Sequence, residues 1–399
     1  MKSKKQEDRI MYTEKELVRI VRRENNNKRN YLVVNRLQGK HIPVRPCEAL
    51  AMFRALADTI RDRYGREKLL VIGFAETATA IGAAVAAELG ADYMHTTREI
   101  VPGAGYLYFS EEHSHATQQK LVREEIDRVI GTTDRIVFVE DEVTTGKTIL
   151  NLIGILRKQY SEQIHFTVVS ILNGMDEAAL EAYRGLNIEL FWLVKTDHAA
   201  YTEIAEAYRG DGSYIRCSEE AAFQSGEAVQ YPRPEDTGGA GDRAEQASPA
   251  GSIRIKAHMD ARRIVGAAGY AEYCGSLYQE IVSQMDLDNV QRLLVLGTEE
   301  YMYPALYAAS RFEAQGKDVR FHATTRSPIA VSTEDEYPFH VRYELRSLYD
   351  SGRTTYIYDL QKYDMVVICT DAAGDIGEGI RSLNHALELC GNGRIILVS

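Results

Sequence analysis

The sequence predicts an α/β protein with a doubly wound parallel sheet, followed by a second α/β domain. Short apolar segments alternate with longer segments that carry apolar residues at helical spacing, which is typical of strands and helices in a parallel sheet. Three of these segments recur later in the chain in the same order, beyond a stretch with little to bury. At 399 residues the chain is also long enough for two hydrophobic cores.

Composition narrows the class of protein. Hydrophobic residues make up 45% of the chain and charged residues 26%, as in ordinary globular proteins. The net charge of −11 argues against a general binder of nucleic acid or anionic membranes. We find no apolar run of membrane-spanning length, no signal-like apolar segment and no CxxC pair among the five cysteines. We therefore expect a cytoplasmic protein with reduced thiols.

The first 28 residues are predicted to form a helical extension, with a helix over 13–23, that docks on the body or on a partner. A strand beginning at Tyr31 then leads into a loop over 36–46. The positive charge of this loop can grip a pyrophosphate or simply solvate the loop. The basic residues concerned are Arg36, Lys40, His41 and Arg45.

Helices and strands alternate from residue 47 onward. Helices are predicted over 47–64, 80–89 and 176–183, and strands over 68–73, 93–97, 136–139, 165–172 and 188–194. Small residues fill the turn over 73–79, where they permit close approach of the backbone to a ligand at the carboxyl end of a strand. The long connection over 99–119 is of the kind that often forms a lid.

The strongest chemical signal is the segment over 135–148, RIVFVEDEVTTGKT. Its buried strand ends on two carboxylates, Glu140 and Asp141. A turn of small and hydroxyl residues follows and opens a helix, so backbone N–H groups, hydroxyls and the helix dipole face an anion. The residues of this phosphate turn are Val143, Thr144, Thr145, Gly146, Lys147 and Thr148.

The sequence does not predict an ATP-binding site at this turn. The ATP-binding P-loop requires a glycine five residues before its Gly-Lys-Thr, and Asp141 holds that position. Two carboxylates beside a phosphate are favourable when the ligand also offers hydroxyls or Mg²⁺. A sugar phosphate with its metal ion supplies both.

This segment resembles the thirteen-residue signature of the type I phosphoribosyltransferases, whose substrate is phosphoribosyl pyrophosphate (PRPP). The resemblance implies that Glu140 and Asp141 bind the ribose hydroxyls, that Asp141 reaches Mg²⁺ through PRPP or water, and that the phosphate turn holds the 5′-phosphate. Orotate-type members carry a threonine at the position of Thr144, where purine-salvage members commonly carry aspartate. The resemblance therefore favours the orotate-like subgroup without naming the acceptor.

The resemblance also assigns roles outside the signature. It implies a hood over the base from the segment after Tyr31, a base platform at Phe191 or Trp192 unless these are core residues, and a homodimer. The pyrophosphate loop corresponds to Ala75, Glu76 and Thr77, with Arg98 lining the same side. His113 and His115 lie in the predicted lid, where they either contact pyrophosphate or transfer protons, or are ordinary exposed histidines.

The second half of the chain, beyond a flexible linker predicted over 218–252, repeats part of the first. Leu69–Gly73 with Glu76 three residues on resembles Leu293–Gly297 with Glu300 three on, and Thr96-Thr97-Arg98 reappears as Thr324-Thr325-Arg326. Thr370-Asp371 replaces the acid pair, without a phosphate turn. We therefore predict a degenerate duplicate over 253–399. Its candidate site residues are Glu300, Arg326, Ser327 and Asp371, with a plain loop as the alternative.

The string Thr325-Arg326-Ser327-Pro328 adds a second resemblance. A C-terminal TRSP domain, known by this string, follows an orotate-type phosphoribosyltransferase domain in bacterial proteins of a tellurite-resistance-associated biosynthetic cluster. That context implies partner enzymes and a nucleoside-like product. The alternatives are a PRPP sensor without activity, a scaffold, or a second domain with its own reaction. A ligand pocket at Glu300, Arg326 and Asp371 would distinguish the last two.

Overall fold

The structure is a computed structural model, described here for residues 12–24, 29–109, 119–160, 164–218, 251–256 and 258–399. His113 and His115 lie outside the described residues, and so does most of the predicted linker, over 219–250.

The N-terminal segment is a short helix and a hairpin. Helix α1 (Glu14–Leu17) runs directly into strand β1 (Val18–Arg22), which pairs antiparallel with β2 (Tyr31–Asn35). The helix predicted over 13–23 is therefore wrong beyond Leu17. Three of the five residues of β1 are β-branched, and their side chains gain more by packing on a sheet than in a helix. The hairpin docks on the body of the protein, where its Val21 and Val34 pack with Ile329 of the second domain.

The first domain is built on a five-stranded parallel sheet. The strands that follow the hairpin are, in chain order, β3 (Leu69–Gly73), β4 (Asp92–His95), β5 (Tyr106–Phe109), β6 (Gln119–Val122), β7 (Arg135–Val143), β8 (His165–Asn173), β9 (Ile188–Lys195) and β10 (Ser213–Arg216). The sheet has the order β4-β3-β7-β8-β9. Strands β5 and β6 form a separate antiparallel ribbon where the lid was predicted.

Helices cover the sheet as the alternation predicted. They are α2 (Pro46–Asp58), α3 (Thr79–Leu89), α4 (Arg123–Val129), α5 (Lys147–Gln159), α6 (Glu177–Gly185) and α7 (Tyr201–Ala207). Helix α3 consists largely of small residues and approaches β3 closely, because a Cβ on Gly82 would come within 2.9 Å of the Gly73 Cα. This close packing fixes the turn between β3 and α3.

The second domain contains a second five-stranded parallel sheet, with the order β11-β17-β16-β12-β13. Its elements are β11 (Ser252–Ile253), α8 (Ala267–Gln284), β12 (Arg292–Gly297), α9 (Tyr303–Ala314), β13 (Asp318–Ala323), β14 (Val341–Arg346), β15 (Thr354–Tyr358), β16 (Met365–Cys369), α10 (Gly377–Leu389) and β17 (Ile395–Val398). The fold class is therefore confirmed as α/β in both halves.

The two sheets correspond strand by strand. The order β4-β3-β7-β8 of the first matches β13-β12-β16-β17 of the second, and an antiparallel ribbon follows the second strand in each, β5–β6 or β14–β15. Gly73 lies opposite Val139 across the first sheet, and Gly297 lies opposite Cys369 across the second. This shared order and register are what the repeated sequence segments predict for a duplicated fold.

One hydrophobic core joins the two domains. Phe53 of α2, Ala83 of α3, Leu277 of α8 and Phe312 of α9 belong to the same cluster of buried side chains. The second domain also extends the first sheet, because Val265 exchanges two backbone hydrogen bonds of 2.8 Å with Tyr93 of β4.

The five cysteines are all free; Cys47 is exposed. No helix in the described part of the chain combines the length and apolarity needed to cross a bilayer.

Candidate active site

The acid pair and the phosphate turn lie where β7 passes into α5. Strand β7 continues to Val143, so Glu140 and Asp141 lie near its carboxyl end, and α5 begins at Lys147. The backbone N–H groups at the start of this helix therefore face the loop formed by Thr144 and Thr145. Lys147 is exposed and the two threonines are partly buried, so the turn is accessible to an anion.

Gly146 is the residue that makes this turn possible. Its φ of +70° lies in the left-handed region, and its carbonyl oxygen accepts a 2.6 Å hydrogen bond from the Tyr183 hydroxyl. A Cβ at Gly146 would lie 2.4 Å from that hydroxyl oxygen. Helix α6, which carries Tyr183, thus supports the turn from below and requires glycine at this position.

The turn over 74–77, predicted as the pyrophosphate loop, is held from several sides. The Ala75 N–H donates to the Thr96 hydroxyl at 2.9 Å, and the Ala75 carbonyl accepts from Gln119 at 2.7 Å. Gln38 donates to the Thr77 carbonyl at 2.8 Å. The Ala75–Glu76 peptide bond is cis. The three hydrogen bonds fix the backbone of the loop beside the carboxyl end of β3.

Asp141 connects this loop to the acid pair. The Thr77 hydroxyl donates to Oδ1 of Asp141 at 2.9 Å. Burial raises the pKa of Asp141 to about 6, and the neighbouring charge of Glu142 adds to the shift, while the Thr77 hydrogen bond opposes it. A buried carboxylate beside a second acidic side chain is a favourable partner for sugar hydroxyls or a hard cation, because either one stabilises its ionised form.

A cluster that the sequence did not predict lies on the other side of Asp141. Arg29 donates through Nη2 to both carboxylate oxygens of Glu142, at 2.9 Å each, and its guanidinium lies 4.3 Å from the centre of the Tyr31 ring. His198 Nε2 lies 3.4 Å from Glu142, and the Tyr31 hydroxyl lies 3.0 Å from His198 Nδ1. We call Arg29, Tyr31, Glu142 and His198 the hood cluster.

The hood cluster combines a cation, an anion and a neutral ring. Burial lowers the pKa of His198 to about 4, and the positive charge of Arg29 lowers it further, so the imidazole is neutral at pH 7. Its ring stacks on Tyr201 with centroids 4.6 Å apart. Strands β1 and β2 bring Arg29 and Tyr31 over the end of β7. The hood was predicted for the segment over 31–46, and Tyr31 is the member of the cluster that belongs to it. Two alternatives were open for the basic loop, and burial of Lys40 and His41 excludes solvation for these two residues.

Glu76 and Arg98 both contact the second domain. The carboxylate of Glu76 forms ion pairs with Lys40 and with Arg326 Nε, the latter at 3.2 Å. The Arg98 N–H donates to Glu300 at 3.0 Å. The side on which the pyrophosphate was predicted therefore borders the domain interface.

The candidate residues of the second domain are engaged in buried ion pairs. Arg262 lies 3.1 Å from Glu300 and 2.5 Å from Asp371, and the Tyr349 hydroxyl donates to Asp371 at 2.6 Å. Burial alone would raise the pKa of Glu300, but Arg262 and its neighbours outweigh burial and hold that pKa at about 2. The cavity beside Glu300 and Asp371 measures about 10 Å³, room for about one water molecule.

Three other predicted residues lie elsewhere in the fold. Ser327 lies beyond β13, where its carbonyl accepts a 2.6 Å hydrogen bond from Tyr358. Phe191 and Trp192 lie within β9 and pack against the cores, four and three residues before the strand ends. Within the described ranges, no group of three or more His, Cys, Asp or Glu side chains is arranged to hold a metal ion.

Comparison with solved structures finds adenine and orotate phosphoribosyltransferases. An adenine phosphoribosyl transferase from Trypanosoma brucei, in complex with AMP, pyrophosphate and ribose-5-phosphate, is 20% identical, with a TM-score of 0.27 and coverage of 36% of this chain and 64% of its own. The enzyme from Leishmania tarentolae is 17% identical, with a TM-score of 0.33 and coverage of 46% and 85%. An orotate phosphoribosyltransferase from Aeropyrum pernix is 17% identical, with a TM-score of 0.29 and coverage of 45% and 85%.

Comparison with curated proteins gives no match. Comparison with family models gives two. Residues 17–202 match a family described as a phosphoribosyl transferase, and residues 270–386 match the TRSP domain that is C-terminal to it. The two matches follow the order of the two sheets and together cover most of the chain. The chain therefore joins a domain of the phosphoribosyl transferase family, over residues 17–202, to a TRSP domain over residues 270–386.

Proposed function

We propose that this protein transfers the phosphoribosyl group of PRPP to a base-like acceptor and releases pyrophosphate. The observation that carries the proposal is the 2.9 Å hydrogen bond from Thr77 to Asp141. It joins the loop over 74–77 to the strand end that opens into the phosphate turn, so groups suited to pyrophosphate, ribose and 5′-phosphate lie along one sheet edge. The family match over residues 17–202 supports the same activity.

Each part of PRPP has proposed partners along this edge. Glu140 and Asp141 accept hydrogen bonds from the ribose hydroxyls, and the phosphate turn receives the 5′-phosphate at the start of α5. The backbone of Ala75 and Thr77, with Glu76 and Arg98, lines the pyrophosphate side. His113 and His115, outside the described residues, stay predictions as lid groups that contact pyrophosphate or transfer protons.

Asp141 fits the magnesium ion that the family resemblance implies. Mg²⁺ prefers carboxylate oxygens and water, and Asp141 is a buried carboxylate whose pKa is raised by burial and by the charge of Glu142. Asp141 would hold the ion directly or through water while PRPP supplies the other ligands. Bound there, Mg²⁺ would neutralise charge on the departing pyrophosphate.

Catalysis in this proposal is chiefly a matter of position. The bond from C1 of ribose to pyrophosphate breaks, and a bond from C1 to a ring nitrogen of the acceptor forms, through an oxocarbenium-like state. The proton of that ring nitrogen passes to the departing pyrophosphate or to water. Asp141 and Glu140 hold the ribose, while the fixed loop over 74–77 holds the leaving group. The protein thereby aligns the two reacting partners.

The hood cluster is the proposed acceptor side. Arg29, Glu142 and the neutral His198 together offer hydrogen-bond donors and acceptors, which suits a heterocyclic base that presents both. The threonine at 144 favours an orotate-like acceptor. A homodimer, partner enzymes and a place in a tellurite-resistance-associated cluster, with a nucleotide-like product, remain part of the proposal.

The test is release of pyrophosphate from PRPP and Mg²⁺ against a panel of pyrimidine and purine bases. We expect release with one class of base, and we expect Arg29→Met to lower the rate with that base at least about tenfold while PRPP still binds. Arg184→Gln is the control, because Arg184 forms only exposed ion pairs on α6 among those described, and its loss should leave the rate unchanged. Binding of PRPP without release from any base would favour the sensor.

A further inference from the structure

We propose that Arg326 of the TRSP domain is a positioning residue for the pyrophosphate loop, which it prepares for an anion by neutralising Glu76. This inference rests on the proposed function of the first domain. It assigns a role to the second domain, which would act on the transferase site from the other side of the interface.

Glu76 poses an electrostatic problem in the proposed site. It lies in the loop that is to receive pyrophosphate, a multiply charged anion, and only 7% of its surface is exposed. A buried carboxylate at that place repels the leaving group unless cations compensate it. Two cations do so, since Lys40 and Arg326 Nε pair with opposite oxygens of the carboxylate.

Arg326 is held in place by three further acids. Its Nε lies 2.7 Å from Glu299, and its Nη2 lies 3.5 Å from Glu300 and also pairs with Glu99. The side chain is 11% exposed. Because Glu99 belongs to the first domain and Glu299 to the second, the guanidinium joins the domains at the loop itself.

The pairing follows from the correspondence between the two sheets. Glu76 lies three residues after Gly73, and Glu300 three after Gly297. Arg98 and Arg326 likewise occupy matching positions after β4 and β13. Each glutamate reaches the opposite domain, Glu76 to Arg326 and Glu300 to the Arg98 N–H. A phosphate turn follows the acids of the first sheet and not those of the second. Arg326 therefore supports ligand binding in the first domain.

The experiment compares two ligands by calorimetric titration into the full chain with Mg²⁺. PRPP carries pyrophosphate, whereas ribose 5-phosphate lacks it but has the groups that the phosphate turn and acid pair would bind. Arg326→Gln should raise the Kd for PRPP about tenfold, the usual size of one buried charge interaction, and leave that for ribose 5-phosphate nearly unchanged. Glu76→Gln should lower the Kd for PRPP. The double variant should return it to near the wild-type value.

Arg353→Gln is the matched control. Arg353 pairs with Glu99 at 2.5 Å and with Glu299 at 2.9 Å in the same cluster, and no ion pair joins it to Glu76 within the described chain. We expect this variant to lower the melting temperature without changing the ratio of the two dissociation constants.

Three outcomes would overturn the inference in a wild type that binds PRPP. These are an equal loss of affinity for PRPP and ribose 5-phosphate in Arg326→Gln, no recovery of PRPP affinity in the double variant, or weaker PRPP binding by Glu76→Gln. Weaker PRPP binding by Glu76→Gln would overturn the inference even if Arg326→Gln does not fold, because Glu76→Gln retains both Lys40 and Arg326. A wild type that fails to bind PRPP would instead sink the proposed function.

Discussion

Glu300 of the second domain accepts a hydrogen bond of 2.7 Å from the hydroxyl of Thr97 in the first. Both residues follow a strand of a parallel sheet, so the carboxyl edges of β12 and β4 meet at this contact. Sites of parallel sheets lie at such edges. The second domain therefore adjoins the candidate active site.

The raised pKa of Asp141 predicts that Asp141→Asn stabilises the protein at alkaline pH. A carboxyl group whose pKa is higher in the folded than in the unfolded protein makes its ionised form unfavourable in the fold. The cost is present above about pH 6 and disappears as pH falls below the ordinary value of 3.8. We expect Asp141→Asn to raise the Tm by about 1–2 °C at pH 8, which corresponds to about 1 kcal/mol for a chain of 399 residues. An unchanged or lower Tm at pH 8 would contradict the shift.

Glu142→Gln should move the pH dependence of PRPP binding. The charge of Glu142 contributes to the raised pKa of Asp141, so its removal lowers that pKa. Binding that requires ionised Asp141 falls below about pH 6 in the wild type, and the fall should begin at lower pH in the variant. Titrations of PRPP from pH 5 to 8 measure this. Asp141→Asn serves as the control for protonation of PRPP itself. If the midpoint pH of PRPP binding is the same in Glu142→Gln as in the wild type, the coupling between Glu142 and Asp141 is refuted.

Gly146→Ala should damage the phosphate turn. The substitution places a Cβ in the left-handed region and 2.4 Å from the Tyr183 hydroxyl oxygen, so we expect a loss of about 1–3 kcal/mol of stability and at least tenfold weaker PRPP binding. Gly154→Ala is the matched control on the same helix, because a Cβ there meets nothing within 4 Å. It should stabilise the protein by about 0.5–1 kcal/mol. Equal effects of the two changes would argue against this geometry.

Arg262→Gln should be strongly destabilising, whereas the adjacent Arg263→Gln should not. Arg262 is buried between Glu300 and Asp371, and loss of one partner from buried ion pairs costs about 3–5 kcal/mol. Arg263 is 39% exposed and pairs only with Glu125 among the charged side chains described, so its loss should cost about 0–1 kcal/mol. Denaturant unfolding measures both. Similar values for the two would mean that the buried network does not hold the second domain.

Much of the fold was predictable because its signals are local. The buried strand before Glu140 and the small-residue turn after it fix a strand, a loop and a helix within a few residues. The repeated segments likewise predicted a second sheet of the same order. The stretch over 18–22 was mispredicted because its charges fit a helix, and its place as a strand depends on pairing with β2.

The hood cluster was not predictable, because its members come together only in the fold. Arg29 and Glu142 are 113 positions apart. One signal was available, since Glu142 makes a third consecutive acid and needs a partner if buried. For Phe191 and Trp192 the sequence left two alternatives, a base platform or core residues, and both side chains pack against the cores. The side chains at the carboxyl end of that strand region are those of Lys195 to His198.

The most direct measurement is calorimetric titration of PRPP with Mg²⁺ into the wild type and into Asp141→Asn/Lys147→Ala. The proposed activity predicts binding by the wild type and a Kd at least about a hundredfold higher in the variant, which loses two charged contacts. Because Asp141→Asn should not destabilise the fold, a retained Tm would exclude unfolding as the cause. No binding of PRPP by the folded wild type, or equal binding by the variant, would contradict the proposed site.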